Sequence, residues 1–168
     1  MGLLEMLRRK PEREIISPSR EQWVIINYIN EGQKFEHQKG IDIHLPLEGI
    51  DKTLLHLFIG LKILYGHLDK SKRGNSGRSL TGESIGIRED SPNTARLREN
   101  AVLLEGFISE FVETNYQNAR NRAWNMRLAV NNLLAQDPNK SHPLDSASIR
   151  AWGEYWRPRI LSPQPTTA

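Results

Sequence analysis

No cysteine occurs anywhere in the 168 residues. That absence excludes disulfide frameworks, thiolate zinc sites and cysteine nucleophiles, and nothing in the chain calls for an oxidising compartment. Long apolar runs are missing as well. The most apolar stretch, Leu54 to Leu68, is interrupted by His56, Lys62 and His67, and it falls short of the ~20 residues a membrane-spanning helix needs. The start, MGLLEMLRRKP, carries its bases after its apolar residues, the reverse of a secretory signal. Met6 stands where an N-myristoylation pattern wants Ser or Thr. A cytoplasmic or otherwise intracellular protein with no integral membrane segment is therefore expected.

Catalytic signatures are scarce too. The chain holds no G-x-S-x-G, no Walker A sequence and no H-E-x-x-H. Its five histidines are His37, His44, His56, His67 and His142. On a common helix His56 and His67 are separated by about 16 Å of axial rise, too far to share a metal. Asp42 and His44 lie on one side of an alternating segment, which reads more simply as a solvent-facing edge than as a ligand pair. No catalytic, cofactor-binding or metal-binding residue is assigned, no cofactor is expected, and the chain reads as non-catalytic.

What is present is enough apolar material for a core. Hydrophobic residues make up 38% and charged residues 26%, with a formal net charge of +3. A chain of this length folds around one core without metals or disulfides. The mild positive charge permits nucleic-acid binding without demanding it.

Helical periodicity dominates. Ser19 and Gln22 form an S-x-x-Q capping box that opens a helix, with Trp23, Ile26 and Ile29 on one face and Gly32 as its expected C-terminal stop. Between Asp51, an expected N-cap, and Leu68 the chain is apolar nearly all round, which marks a buried central helix. Gly60 and Gly66 lie inside it. Each costs about 1 kcal/mol of propensity relative to Ala, which suggests close approach of a neighbouring helix. Residues 92–135 carry two helical apolar series that slip phase near Thr114–Asn115. A single helix there would run roughly 65 Å, so two helices or one sharp bend fit better. Asp145 caps a last helix, with Ile149, Trp152 and Trp156 on one side and Pro158 as its end.

Two stretches break the helical pattern. In IDIHLPL, Ile41, Ile43, Leu45 and Leu47 alternate with polar residues, a period of two that predicts a short extended segment. Residues 69–93 are rich in Gly, Ser and charge and predict one long basic loop. The expected fold is all-α, an irregular bundle of about five helices with these two decorations. Residues 1–19 form an amphipathic, basic N-terminal arm, 20–160 a single helical domain, and 161–168 a flexible tail.

Two interaction surfaces stand out. Within NYQNARNRAW, residues 115–124, and the turns that follow, Arg120, Trp124 and Arg127 fall on one helical stripe with Arg122 beside it. The span Thr114 to Gln136 holds three arginines and no acid. Guanidinium groups bind phosphate and an indole stacks on bases. Lys70, Lys72, Arg73 and Arg78 in the basic loop would join them as nucleic-acid contacts. The competing account is that this stretch packs or meets protein. Glu99 to Glu113 holds four acids and no base, so acids early and bases late also match the dipole of a long helix. Leu3, Leu4 and Leu7 of the arm, with Trp152 and Trp156, are the candidate protein-interface residues. The preferred reading is an interaction or assembly module, a subunit of a larger complex with protein partners or self-association. The alternative is a DNA- or RNA-binding accessory protein.

Overall fold

Ser19 starts the first helix as the capping box requires. Its hydroxyl accepts the Gln22 N–H at 3.2 Å while the Gln22 side chain accepts the Ser19 N–H at 3.0 Å. Helix α1 then spans Arg20–Lys39. It does not end at Gly32, because that residue faces another helix and is buried. The stop comes at Gly40, whose φ of 71° allows its N–H to reach the carbonyls of Glu36 and His37. The computed structural model describes residues 18–75, 91–136 and 144–161. The expected arm's leucines, Leu3, Leu4 and Leu7, and Arg78 lie outside them.

The expected extended segment is mostly a helical turn. α2 spans Ile41–His44. Ile41 and Leu45 are both fully buried whereas Ile43 is 71% exposed. That is an i, i+4 pattern, and the period of two was coincidental. The Gly40 turn restarts the helix, the Leu45 N–H closes it on Ile41 O at 2.7 Å, and Pro46 then pushes Leu45 out of helical geometry.

Helix α3 spans Gly49–Asn75 and is the centre of the bundle. Leu54, Leu55, Leu57, Ile59 and Leu64 are completely buried. Asp51 is not its cap; it sits inside the first turn and bonds residues far along the chain. The helix also outruns its expected end. Lys70, Lys72 and Arg73 ride on its last turns instead of in a loop, since no helix breaker intervenes before Gly74 and bases favour a helix C-terminus.

Ser91 caps α4, Pro92–Asn115, by accepting the Thr94 N–H at 3.1 Å. α5 spans Arg120–Gln136 and α6 Ser146–Leu161. The phase slip is thus a true break between two helices. Asp145 caps α6 by accepting the Ser148 N–H at 2.7 Å, an arrangement that holds its carboxyl below the usual range. Pro158 does not end that helix, which continues to Leu161. Pro158 and Glu154 are both exposed, so the carbonyl that loses its donor is open to water. The architecture is all-α, with six helices among the described residues.

α1, α4 and α5 each pack on α3, and α6 packs on α5 and α2. The α1–α3 contact is the tightest. A Cβ on Gly32 would lie 2.2 Å from His56 O, and one on Gly60 would lie 2.2 Å from Tyr28 O. The two helices run antiparallel and touch backbone to backbone at this reciprocal pair. Gly60 therefore has the close neighbour its presence implied. Gly66 has nothing within 4 Å of its would-be Cβ, and nothing in the structure explains it. One turn from the crossing, the buried Glu36 carboxylate is served by His56 Nε2 at 3.0 Å and Lys52 Nζ at 3.6 Å. Burial pushes the Glu36 carboxyl upward, but the hydrogen bond and charge of His56, with Lys52, outweigh it and hold the group below its ordinary value. An ionised Glu36 only accepts, so His56 Nε2 carries the hydrogen and donates.

Candidate functional site

The corner between α4 and α5 is built by NYQN itself. Asn115 Nδ2–H donates to Phe111 O at 2.9 Å, and the Tyr116 N–H closes on Val112 O at 2.8 Å. Tyr116 leaves helical geometry at φ −126°, ψ 32°. Its ring is 2% exposed and its hydroxyl donates to Asp51 Oδ1 at 2.7 Å. The second Asp51 oxygen accepts from the Arg122 guanidinium. Burial, followed by this hydrogen bond and the Asp51 charge, pushes the Tyr116 phenol up. The aromatic and one arginine of the quoted stretch thus pin the corner to the first turn of α3.

A second rung ties the same helices together further along. Tyr65 Oη–H donates to Glu105 Oε1 at 2.7 Å, and Arg127 Nη2 donates to the same oxygen at 3.0 Å. The Arg127 guanidinium also lies 5.6 Å from the Phe58 ring centre. Burial and the bond to Glu105 push the Tyr65 phenol up to about 12. Each rung joins α3 to the α4–α5 pair through a carboxylate, and two of the three arginines in the acid-free span are neutralised by them.

Between the rungs the helices stay apart. α4 and α5 each rest on α3 without packing closely along one another, and the gap is an open groove of about 400 Å³. Phe58 forms its floor. Ile108, Val112 and Ala123 supply apolar walls. Ser109, Glu113, Arg120 and Trp124 stand on the rims. Trp124 is 60% exposed, and Arg120 and Glu113 are exposed on either side. Apolar floors with a few polar rim groups are the usual chemistry of binding clefts, and the volume is in their normal range. An exposed tryptophan at such a rim is the residue type that most often anchors a protein interface.

Of the sequence-predicted residues, Arg120 and Trp124 line this groove, and so does the internally paired Arg127. Lys70 and Lys72 are exposed, and the Arg73 Nε–H donates to Asp69 O at 3.4 Å. These three ride on the last turns of α3, far from Arg122. Arg122 is bonded to Asp51, and Lys72 sits on the same helix at a distance of about 30 Å along the axis. Trp152 cannot be a surface anchor as expected. It is 4% exposed, and its indole N–H donates to Ala129 O at 3.0 Å, which docks α6 on α5. Trp156 is half-buried, edge-on to Tyr155 with ring centres 5.0 Å apart. Tyr155, 53% exposed, carries the Arg159 guanidinium 3.7 Å from its ring centre.

The floor and walls were not singled out from the sequence. Phe58 and Ile108 read as ordinary core, and nothing in their spacing says that the helix pair above them diverges. Among the described residues no group of three His, Asp or Glu side chains is placed to hold a metal ion, and no helix is long and apolar enough to cross a membrane. Comparison with protein-family models, curated proteins and solved structures finds no match for this chain.

Proposed function

We propose that the chain is a non-catalytic assembly module that receives an apolar, helix-forming segment of a protein partner in the groove between α4 and α5. The observation that carries this reading is the groove itself, with its apolar floor over Phe58 and Trp124 left 60% exposed at its rim. An indole that meets no internal need and stands over apolar walls favours burial against a partner. The neutralisation of Arg122 by Asp51 and of Arg127 by Glu105 argues in the same direction, because it leaves Arg120 as the one arginine of the acid-free span without a carboxylate partner among the described residues.

The test is a photoreactive amino acid placed at position 124, with Gln33 on the exposed side of α1 as control position. Crosslinking is done in cells of the source organism. Covalent adducts to a defined protein at position 124, absent at 33 and lost when Val112→Asp is added, are the expected result. Equal adducts at both positions would defeat the reading.

Nucleic-acid binding is the second reading, favoured by the exposed pair Arg120 and Trp124 on adjacent turns of α5. Phosphate-driven binding falls steeply with salt. Anisotropy titrations with short DNA and RNA at low and high salt, using Arg120→Ala and Trp124→Ala, decide it. Salt-sensitive binding lost in these variants would put this reading first.

A further inference from the structure

We propose that the segment received by the groove is α5 of a second copy of this chain, with Trp124 of each copy seated in the groove of the other about a two-fold axis. The proposal rests on the reading of the groove as a site for an apolar helical segment, and it names the partner.

Knob and hole stand side by side on one face. The groove is open, with Phe58 beneath it and Ile108, Val112 and Ala123 as walls, and its volume of about 400 Å³ admits a bicyclic side chain. Trp124 stands on its α5 rim, 60% exposed. A cleft built only for a foreign helix needs a hole and no knob of its own. A two-fold contact needs both on the same patch, because whatever one copy offers it must also receive. An indole removes about 150–250 Å² from water when buried, and this contact buries two.

The charges have the same self-complementarity. Among the groove's lining residues, Arg127 is taken up inside the chain by Glu105 at 3.0 Å. Arg120 on the α5 rim and Glu113 on the α4 rim are both exposed, and neither has an ion-pair partner among the described residues. Glu110 is exposed on α4 as well but does not line the groove. The free rim charges are therefore one of each sign, on opposite sides. Arg120 lies one turn from Trp124 and travels with the indole into the partner's groove, whose α4 rim carries Glu113. The two-fold axis repeats the pair, so every free rim charge meets its opposite.

The apolar surface continues past the groove. Val102 is 69% exposed on the face of α4 that also carries Gly106, Ser109 and Glu113, at spacings of four, three and four. A Cβ on Gly106 would meet nothing within 4 Å, so this face is bare. A stable dimer hides about 800 Å² on each copy, and the α4 face extends the contact beyond the groove itself.

Sedimentation velocity of the purified full chain, run against concentration at low salt, is the test. Arg120→Glu and Glu113→Arg are made separately, and then mixed. Wild type is expected to dimerise, Trp124→Ala to remain monomeric, and each charge variant alone to associate about ten-fold more weakly or worse, ~1.4 kcal/mol. The equimolar mixture is expected to recover dimers, because mixing restores both opposite-charge contacts where each variant alone has two like-charge ones. A folding defect is not repaired by mixing, so recovery reads the contact. A monomeric wild type, a dimer indifferent to Trp124→Ala, or a mixture no tighter than its components would each overturn the proposal. A monomer that still crosslinks a different protein from position 124 removes the second copy and leaves the partner reading standing. Absence of any specific adduct at 124, to this chain or another, counts against the partner reading itself.

Discussion

Helix α3 meets its neighbours in two opposite ways. Against α1 it is stripped to glycine, and the backbones touch at Gly32 and Gly60. Against α4 and α5 it also carries polar ties, Tyr65 to Glu105 and Arg127 on one rung and Asp51 to Tyr116 and Arg122 on the other, and between the rungs those two helices diverge from one another. The first contact leaves no space, whereas α4 and α5 leave between them, over α3, a groove of about 400 Å³. Close approach comes from removing side chains. Separation comes from carboxylates that must each meet a donor, which fixes the spacing of the helices around them. One side of α3 is thereby specialised for stability, while the other keeps a cleft without losing its rigidity.

The largest expected effect lies on the tight side. Gly60→Ala places a methyl against the Tyr28 carbonyl, and the backbone has to move. Destabilisation by about 3 kcal/mol is expected even after the propensity gained, seen as a fall in Tm of roughly 9 °C. A Tm unchanged within a degree would show that α1 and α3 slide freely. On the rung side, Asp51→Ala strands the Arg122 guanidinium and the Tyr116 hydroxyl. A loss of about 2 kcal/mol by urea denaturation is expected, and Tyr116→Phe, which keeps the ion pair, should cost about half as much.

The Glu36 site sharpens the comparison through pH. Its folded pKa is lowered, so its contribution is present above the ordinary carboxylate range and is lost as pH falls through the folded value. Urea midpoints measured between about pH 6 and about pH 3 should therefore drop, and Glu36→Gln should lower the value at the upper end and flatten the slope. A parallel curve for the variant would remove Glu36 from the acid response. Gly66→Ala, on the same helix as Gly60, should act with the opposite sign and stabilise by up to about 1 kcal/mol, because the added methyl meets nothing. The smallest effect on stability is expected for Trp124→Ala, within about 0.5 kcal/mol, together with loss of partner crosslinking. A large stability loss there would mean the indole belongs to the core.

Much of the helical content was legible because capping and periodicity are local. Ser19 with Gln22 opens α1 and Asp145 opens α6, and the phase slip near Asn115 left two helices or one bent helix open, of which the structure has two. Errors fell where a residue's local meaning was overruled by a neighbour distant in sequence. Gly32 looks like a stop but serves the crossing with His56. Asp51 looks like a cap but answers Tyr116 and Arg122. Trp152 looks like an anchor but is sealed between α6, which carries it, and α5. IDIHLPL failed for another reason: four residues satisfy a period of two and a single helical turn almost equally well.

For the site, the sequence by itself determined the residue types: an acid-free span with arginines and a tryptophan, and a span of α4 with four acids and no base. Only the tertiary structure decided which arginines are neutralised, that Trp124 stands free, and that α4 and α5 diverge over Phe58. The physical reason is range. Helix propensity and capping act within four residues of chain, whereas charge pairing and the spacing of packed helices are set between residues as far apart as Asp51 and Arg122.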